Sequence, residues 1–446
     1  MTNITRGFSR RKFMLTVGAT AAGTLLAHGC SSGGTSSSSS SSPSSVPAVS
    51  SGTGDTPETD TVKLGFIALT DSAPLIIAKE KGLLAKYGLK SAEVSKQTSW
   101  ATTRDNLELG SKKGGIDGAH ILTPMAYSMA AGKITKGNEK IPMQILARLN
   151  TDGQGISISN DYADLKLEGK AEKLKAKIDE MKASGKKFQC AVTFPGGTHD
   201  LWLRYWLAAN GVNPDEDVDI KIIPPPQMVA NMETKAMDAF CVGEPWNQRL
   251  VTKKLGYNAV TTGELWKGHP EKSLAVRDDW ATQNPKAAKA LLMAVMEAQI
   301  WCDKDENKDE MCKIIESDKY LKAPASDIVG RAKGDFDLGN GRKLEKSPLL
   351  MKFWRETASF PYKSHDKWFI TEGIRWGKLA EEDYALVDKV NRSDVWRAAA
   401  KALKVPDAEI PKTDTRGKET FFDGIVFDDA DPKAYLSSLK IKKAVV

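Results

Sequence analysis

Residues 188–211 read FQCAVTFPGGTHDLWLRYWLAANG. The alternation of Phe188, Cys190, Val192 and Phe194 predicts a buried strand. Pro195-Gly196-Gly197 turns the chain sharply, because proline fixes one dihedral and glycine adopts positive φ. Thr198 is placed to cap a helix that carries Leu201, Trp202, Tyr205, Trp206 and Ala209 on one face. Asn210-Gly211 supplies the stop. A glycine-rich turn from strand into helix gathers free N–H groups at the positive end of a helix dipole, which suits a small anion. The same turn also serves as a plain connection in α/β proteins, so the flanking sequence decides.

Toward the N-terminus, VKLGFIAL at 62–69 reads as a first strand, and Asp71-Ser72-Ala73-Pro74 leads into a helix that ends at Gly82. Further strand or strand-helix candidates fall at 92–96, 112–123, 143–149, 156–160, 218–223 and 236–242. This alternation predicts an α/β protein of mixed sheets with helices on both faces. Two polar or glycine-proline links, Asn150 to Gly155 and Gly243-Glu244-Pro245-Trp246, read as crossings between lobes. They divide the chain into lobe I (62–150, continued at 246–446 with a helical C-terminal extension) and lobe II (156–242). A two-strand hinge of this kind closes two lobes on a ligand. Beyond it, Asn284-Pro285 opens a long helix with Leu291, Leu292, Val295, Met296 and Ile300 on its buried face. Trp354, Trp368, Trp376 and Trp396 read as packing, and Asp117 and Asp200 as capping or structural acids.

Residues 1–29 read as an export signal of the twin-arginine type, Ser9-Arg10-Arg11-Lys12-Phe13-Met14 followed by a modest apolar run. That run is shorter than the ~20 apolar residues a membrane span needs. Leu26-Ala27-His28-Gly29-Cys30 resembles a lipobox, in which Cys30 is acylated; export without a lipid is the alternative. Residues 30–61, with their serine run, are predicted to stay disordered and to form a tether reaching roughly 30 Å. More than half of the formal charge of +7 comes from Arg6, Arg10, Arg11 and Lys12 in the signal, so nothing calls for a nucleic-acid partner. Cys190, Cys241, Cys302 and Cys312 lack zinc or CxxC spacing and read as buried thiols, although an exported protein can pair two of them. No nucleophile-base-acid constellation, Walker loop or HExxH appears, which argues against an enzyme.

The residues together resemble the nitrate- and bicarbonate-binding proteins of ABC importers. The likeness rests on Ala73-Pro74-Leu75-Ile76-Ile77-Ala78, Trp100, Arg104-Asp105-Asn106, Gly115-Ile116-Asp117-Gly118 and Thr193-Phe194-Pro195. It continues through Gly243-Glu244-Pro245-Trp246, His269-Pro270-Glu271-Lys272, Phe360-Pro361-Tyr362-Lys363, Arg375-Trp376-Gly377 and Glu419-Thr420-Phe421-Phe422-Asp423-Gly424-Ile425. The resemblance implies a two-lobed type II periplasmic-binding-protein fold, an oxyanion held between the lobes, and delivery to an ABC permease in the inner membrane. With the lipobox at Cys30, the expected protein is a monomer, lipid-anchored on the periplasmic face of the inner membrane.

Trp100 matches a site tryptophan of the family, Gly243 a site glycine, and Lys272 the lysine of the nitrate form. In the bicarbonate form a glutamate takes the place of that lysine and works with calcium, so Lys272 implies a monoanion held without metal or cofactor. The nitrate form also has a glutamine where Asp152 aligns and a histidine just before Thr193, where this chain has Val192. Gln154 and His199 are the candidate replacements, and Thr198 completes the set. A carboxylate at position 152 repels an anion unless it is turned away, protonated or metal-bound. Each candidate has a plainer reading beside the functional one. Lys272 can be a solvated lysine before a strand, His199 a helix residue bonded to backbone, and Trp100 core. The expected ligand is nitrate or nitrite; the alternatives are bicarbonate with calcium, or an organic sulfonate or cofactor precursor.

Overall fold

The computed structural model describes residues 56–443. The export signal, Cys30 and most of the tether lie outside the described residues. The last residues of that expected tether are docked on the folded body. Glu58 accepts hydrogen bonds from the backbone N–H groups of Lys286 (3.1 Å) and Ala287 (3.0 Å), at the start of the Pro285–Asp303 helix. Those N–H groups have no partner inside the helix, and a carboxylate there also meets the positive end of the dipole.

Ten strands form two five-stranded sheets. They are β1 (Lys63–Phe66), β2 (Glu93–Lys96), β3 (Gly118–Leu122), β4 (Met143–Arg148) and β5 (Gln154–Ser159), followed by β6 (Phe188–Val192), β7 (Val218–Ile222), β8 (Ala239–Gly243), β9 (Gly256–Thr261) and β10 (Lys272–Arg277). The first sheet has the order β2-β1-β3-β10-β4, the second β7-β6-β8-β5-β9. In each, the outer three strands run parallel, and one strand that has just crossed from the other lobe inserts antiparallel beside them. That strand is β10 in lobe I and β5 in lobe II. The two sheets thus share one topology, and the architecture is the two-lobed periplasmic-binding-protein fold.

The crossings pair with one another. Leu149 N donates to Lys272 O (2.7 Å), Glu271 N to Asn150 O (3.2 Å) and Asp152 N to His269 O (3.0 Å), and Thr151 bridges Pro270 antiparallel. The return crossing therefore lies at His269–Lys272, later than the Gly243–Trp246 link expected from sequence. The chain after Gly243 stays in lobe II, because β9 comes back to pair with β5 in the same sheet. A glycine-proline punctuation marks a turn as readily as a crossing, and only strand pairing separates the two.

The helix after the FPGG turn spans Thr198–Ala209, with Gly196 at φ 70°. Its burial exceeds the single face expected: Leu203, Arg204 and Leu207 are buried too, while Ala209 is exposed. The cover comes from the C-terminal region. In the Lys363–Arg375 helix, Trp368 stacks on Trp202 at 4.8 Å, and Asp366 accepts from Arg148 of β4 at 2.8 Å. The C-terminal region thus packs on both lobes rather than extending lobe I alone. Trp368, Trp376 and Trp396 are all buried within this packing. Cys190, Cys241, Cys302 and Cys312 are free and buried.

Candidate functional site

The two crossing strands each begin with a polar side chain. Gln154 is the first residue of β5 and Lys272 the first of β10, and both are buried. Lys272 Nζ donates to Glu271 Oε1 at 2.6 Å and to Asp71 Oδ2 at 3.0 Å. Asp71 sits in the short turn between β1 and the Ala73–Glu80 helix, which carries it to the C-terminal edge of the sheet. Its other oxygen, Oδ1, accepts from His120 Nε2 at 2.6 Å. His120 belongs to β3 and receives the N–H of Ile67 on Nδ1, so its one proton lies on Nε2.

Gln154 joins the lobes. Its Nε2 donates to Asp71 Oδ2 at 3.1 Å, while its Oε1 accepts from His199 Nε2 at 2.6 Å. The Thr193 hydroxyl then donates to His199 Nδ1 at 2.6 Å. These bonds run in one direction, from Thr193 through neutral His199 and Gln154 to Asp71. Gly243 pairs with Gln154 across β5 and β8, and a Cβ built on it would lie 2.7 Å from Gln154 Oε1 and 3.3 Å from Asp71 Oδ2. The glycine is what lets both side chains reach this point.

Trp100 opens the Trp100–Leu109 helix, where Ser99 caps by accepting from Thr102 N at 3.1 Å. Its ring centroid is 5.8 Å from Lys272 Nζ, and its buried Nε1 has no hydrogen-bond partner. Thr198 does not cap its own helix; its hydroxyl donates across the cleft to Glu271 Oε1. The turn is fastened instead by Asp200, whose Oδ2 accepts from Gly196 N at 2.7 Å. Trp100, Gln154, Thr198, His199, Gly243 and Lys272 therefore meet in one buried cluster.

Asp152 stands apart from this cluster. Its positive φ of 59° and that of Gly153 at 89° break the alternation that would place residues 152 and 154 on one face. Its carboxylate accepts from Gly268 N at 3.0 Å and lies 3.5 Å from Lys352 Nζ. Burial raises its pKa to about 7, even though Lys352 pulls the other way. The glutamine on the first crossing is thus present, at position 154. A histidine likewise stands against Thr193, supplied by His199 from one helical turn on rather than by position 192.

Asp71, His120 and Glu271 complete the cluster and were not singled out from sequence. An aspartate and a histidine inside otherwise apolar runs, IALTDSAPLIIA and GAHIL, were the available signal. Burial pushes the Asp71 carboxyl up, but the Lys272 ammonium and His120 outweigh it and hold it well below the usual range. Burial opposes the charge on Lys272, yet Asp71 and Glu271 raise its pKa overall. Burial, and then Lys272, keep His199 neutral. Glu271 is raised by burial, which Lys272 offsets only in part.

Comparison with known proteins decides the family. The profile of the NMT1-like family matches residues 55–316. The chain is 61% identical over 438 residues, 98% of either chain, to the nitrate/nitrite binding protein NrtA of Synechococcus elongatus. The chain belongs to the NMT1-like family, with the NrtA proteins. A crystal structure of the periplasmic nitrate-binding protein NrtA from Synechocystis PCC 6803 superposes with a TM-score of 0.84 at 57% identity, covering 86% of this chain and all of that one. Identity to the bicarbonate-binding protein CmpA of Synechococcus elongatus is lower, 44% over 450 residues and 98% of each chain. The likeness to NrtA thus spans both lobes and the C-terminal region alike.

Proposed function

We propose that this NrtA relative is the extracytoplasmic solute-binding component of an ABC importer. It binds nitrate or nitrite at Lys272 between the lobes and hands the anion to a membrane permease. The observation that carries this reading is the buried Lys272 ammonium at the interlobe cleft, beside the unpartnered indole N–H of Trp100 and the linked polar side chains of Gln154, His199 and Thr198. Nitrate carries one delocalised charge and only accepts hydrogen bonds, so one lysine and a few neutral donors match it in a dry cleft. A doubly charged sulfate or phosphate finds too little positive charge. The protein acts by binding and is not an enzyme.

Calcium does not fit here. The Lys272 ammonium lies between the Asp71 and Glu271 carboxylates at 3.0 and 2.6 Å, the place a cation would take. Bicarbonate with calcium is therefore the weaker reading. Twin-arginine export, acylation at Cys30 and action as a monomer on the periplasmic face of the inner membrane complete the proposal.

Calorimetric titration of the protein with nitrate, nitrite and bicarbonate, the last with and without calcium, tests this reading. Nitrate and nitrite are expected to bind with no dependence on calcium. Calcium-dependent binding of bicarbonate in preference to nitrate would overturn it.

A further inference from the structure

The Lys272 cluster contains more acid than an anion site needs. One ammonium faces two carboxylates, Asp71 and Glu271. Asp71 has both oxygens occupied, by His120, Lys272 and Gln154. Glu271 does not. Its Oε1 accepts from Lys272 and Thr198, while Oε2 is fully buried and has no hydrogen-bond partner. An ionised oxygen left this way bears its full desolvation cost; a protonated one becomes a donor. Trp100 Nε1 is a second buried group without a partner, a donor beside the same ammonium.

We propose that Glu271 is a ligand-contacting, specificity-determining residue. It takes up one proton from solvent as the anion binds, and donates it from Oε2 in a hydrogen bond to the anion. The proposal rests on the nitrate reading above. Bringing a monoanion into a cluster that already holds two carboxylates and one lysine adds a buried negative charge. Neutralising Glu271 in the same step leaves the net charge of the cluster unchanged. No bond other than the carboxyl O–H forms, and nothing is oxidised or reduced.

The groups facing Glu271 leave it as the proton acceptor. Lys272 and Asp71 approach from lobe I, and Thr198 and His199 from lobe II, with His199 Nε2 3.9 Å from Oε1. The Cys241 thiol of β8 lies close enough for the Glu271 charge to raise it further. Burial lowers His199 far enough to keep it neutral and raises Cys241 so that it keeps its proton. Asp71 is held ionised by Lys272 and His120 against its burial. Glu271 is raised by burial, so a proton is accessible to it.

The test is nitrate titration of the wild-type protein across pH 6–9, with proton exchange measured by repeating each titration in two cationic or zwitterionic buffers that both hold that pH but differ widely in ionisation enthalpy. Affinity is expected to fall as pH rises, approaching tenfold per pH unit at the alkaline end, with close to one proton taken up per anion there. Glu271→Gln, which offers an amide N–H in place of the protonated carboxyl, is expected to bind nitrate with little pH dependence and no proton uptake. Nitrate binding that stays flat across the range with no proton exchange in the wild type would overturn the proposal while leaving the nitrate reading intact. Persistence of the wild-type pH dependence in Glu271→Gln would overturn it as well. Absence of nitrate binding at every pH would instead overturn the reading on which it rests.

Discussion

Gln154 of lobe II donates to Asp71 Oδ2 of lobe I at 3.1 Å, across the cleft between two sheets that share no strand. The bond exists because each side chain stands where its lobe's sheet ends: Gln154 starts a crossing strand, and Asp71 lies in the short turn that follows β1. Gly243 lies against both. The cluster therefore draws on groups from both lobes, and neither lobe presents it alone.

Gly243→Ala tests this assembly. Its backbone tolerates alanine, having no positive φ, but the added Cβ would press to 2.7 Å from Gln154 Oε1. Overpacking of this sort costs about 1–3 kcal/mol. Nitrate affinity is expected to drop roughly tenfold or more, while unfolding stays cooperative at a melting temperature lowered by a few degrees. Calorimetry and a melting curve on the same sample check both.

Asp152 gives a pH-dependent stability. Its folded pKa of about 7 stands above the 3.8 of the unfolded chain, so folding takes up a proton between those values. Its contribution is therefore most favourable at low pH and is lost as pH rises toward about 7. Measured against Asp152→Asn by urea unfolding, the wild type should lose relative stability from pH 5 to pH 7, by about 1 kcal/mol or more. A difference between the two that stays constant with pH would place the carboxylate in solvent.

Sequence alone carries the two-lobe plan and the paired hinge, and it brings Trp100, Gly243 and Lys272 forward as candidates because each lies in a short contiguous motif. It reached Gln154 and His199 only as substitutes. Asp152 was matched by linear position, and the left-handed backbone at 152 and 153 that swings it away leaves no mark a motif can carry. Asp71 and Lys272 are 201 positions apart in the chain, so their ion pair exists only once β1 and β10 share a sheet. The end of lobe II was misplaced for a similar reason: β9 pairs with β5 across an intervening stretch that resembles a link.

The C-terminal region is integral to the fold. Arg148 is buried and bonds Asp366, whose second oxygen accepts from Asn391 at 2.6 Å. Asp366→Ala leaves the guanidinium buried without its counter-ion. A loss of about 3–5 kcal/mol in urea unfolding is expected. A loss below 1 kcal/mol would mean that the region folds apart from β4.

The proposed lipid tether at Cys30 is tested by removing the thiol. Cys30→Ala should move the protein from the membrane to the soluble fraction after export, with nitrate affinity unchanged. Fractionation followed by titration of the released protein checks both halves. Continued membrane attachment of the variant would rule out a lipid tether at that residue.

Titrating the Lys272→Ala protein with nitrate tests most directly whether the Lys272 ammonium holds the anion, as proposed. A desolvated charge-assisted hydrogen bond contributes about 1.5–3 kcal/mol, so affinity should fall roughly ten- to hundredfold or more. Lys272→Glu, which adds a third carboxylate beside Asp71 and Glu271, should abolish binding. Nitrate affinity within twofold of wild type in Lys272→Ala, with the fold intact, would contradict the account and move the site elsewhere.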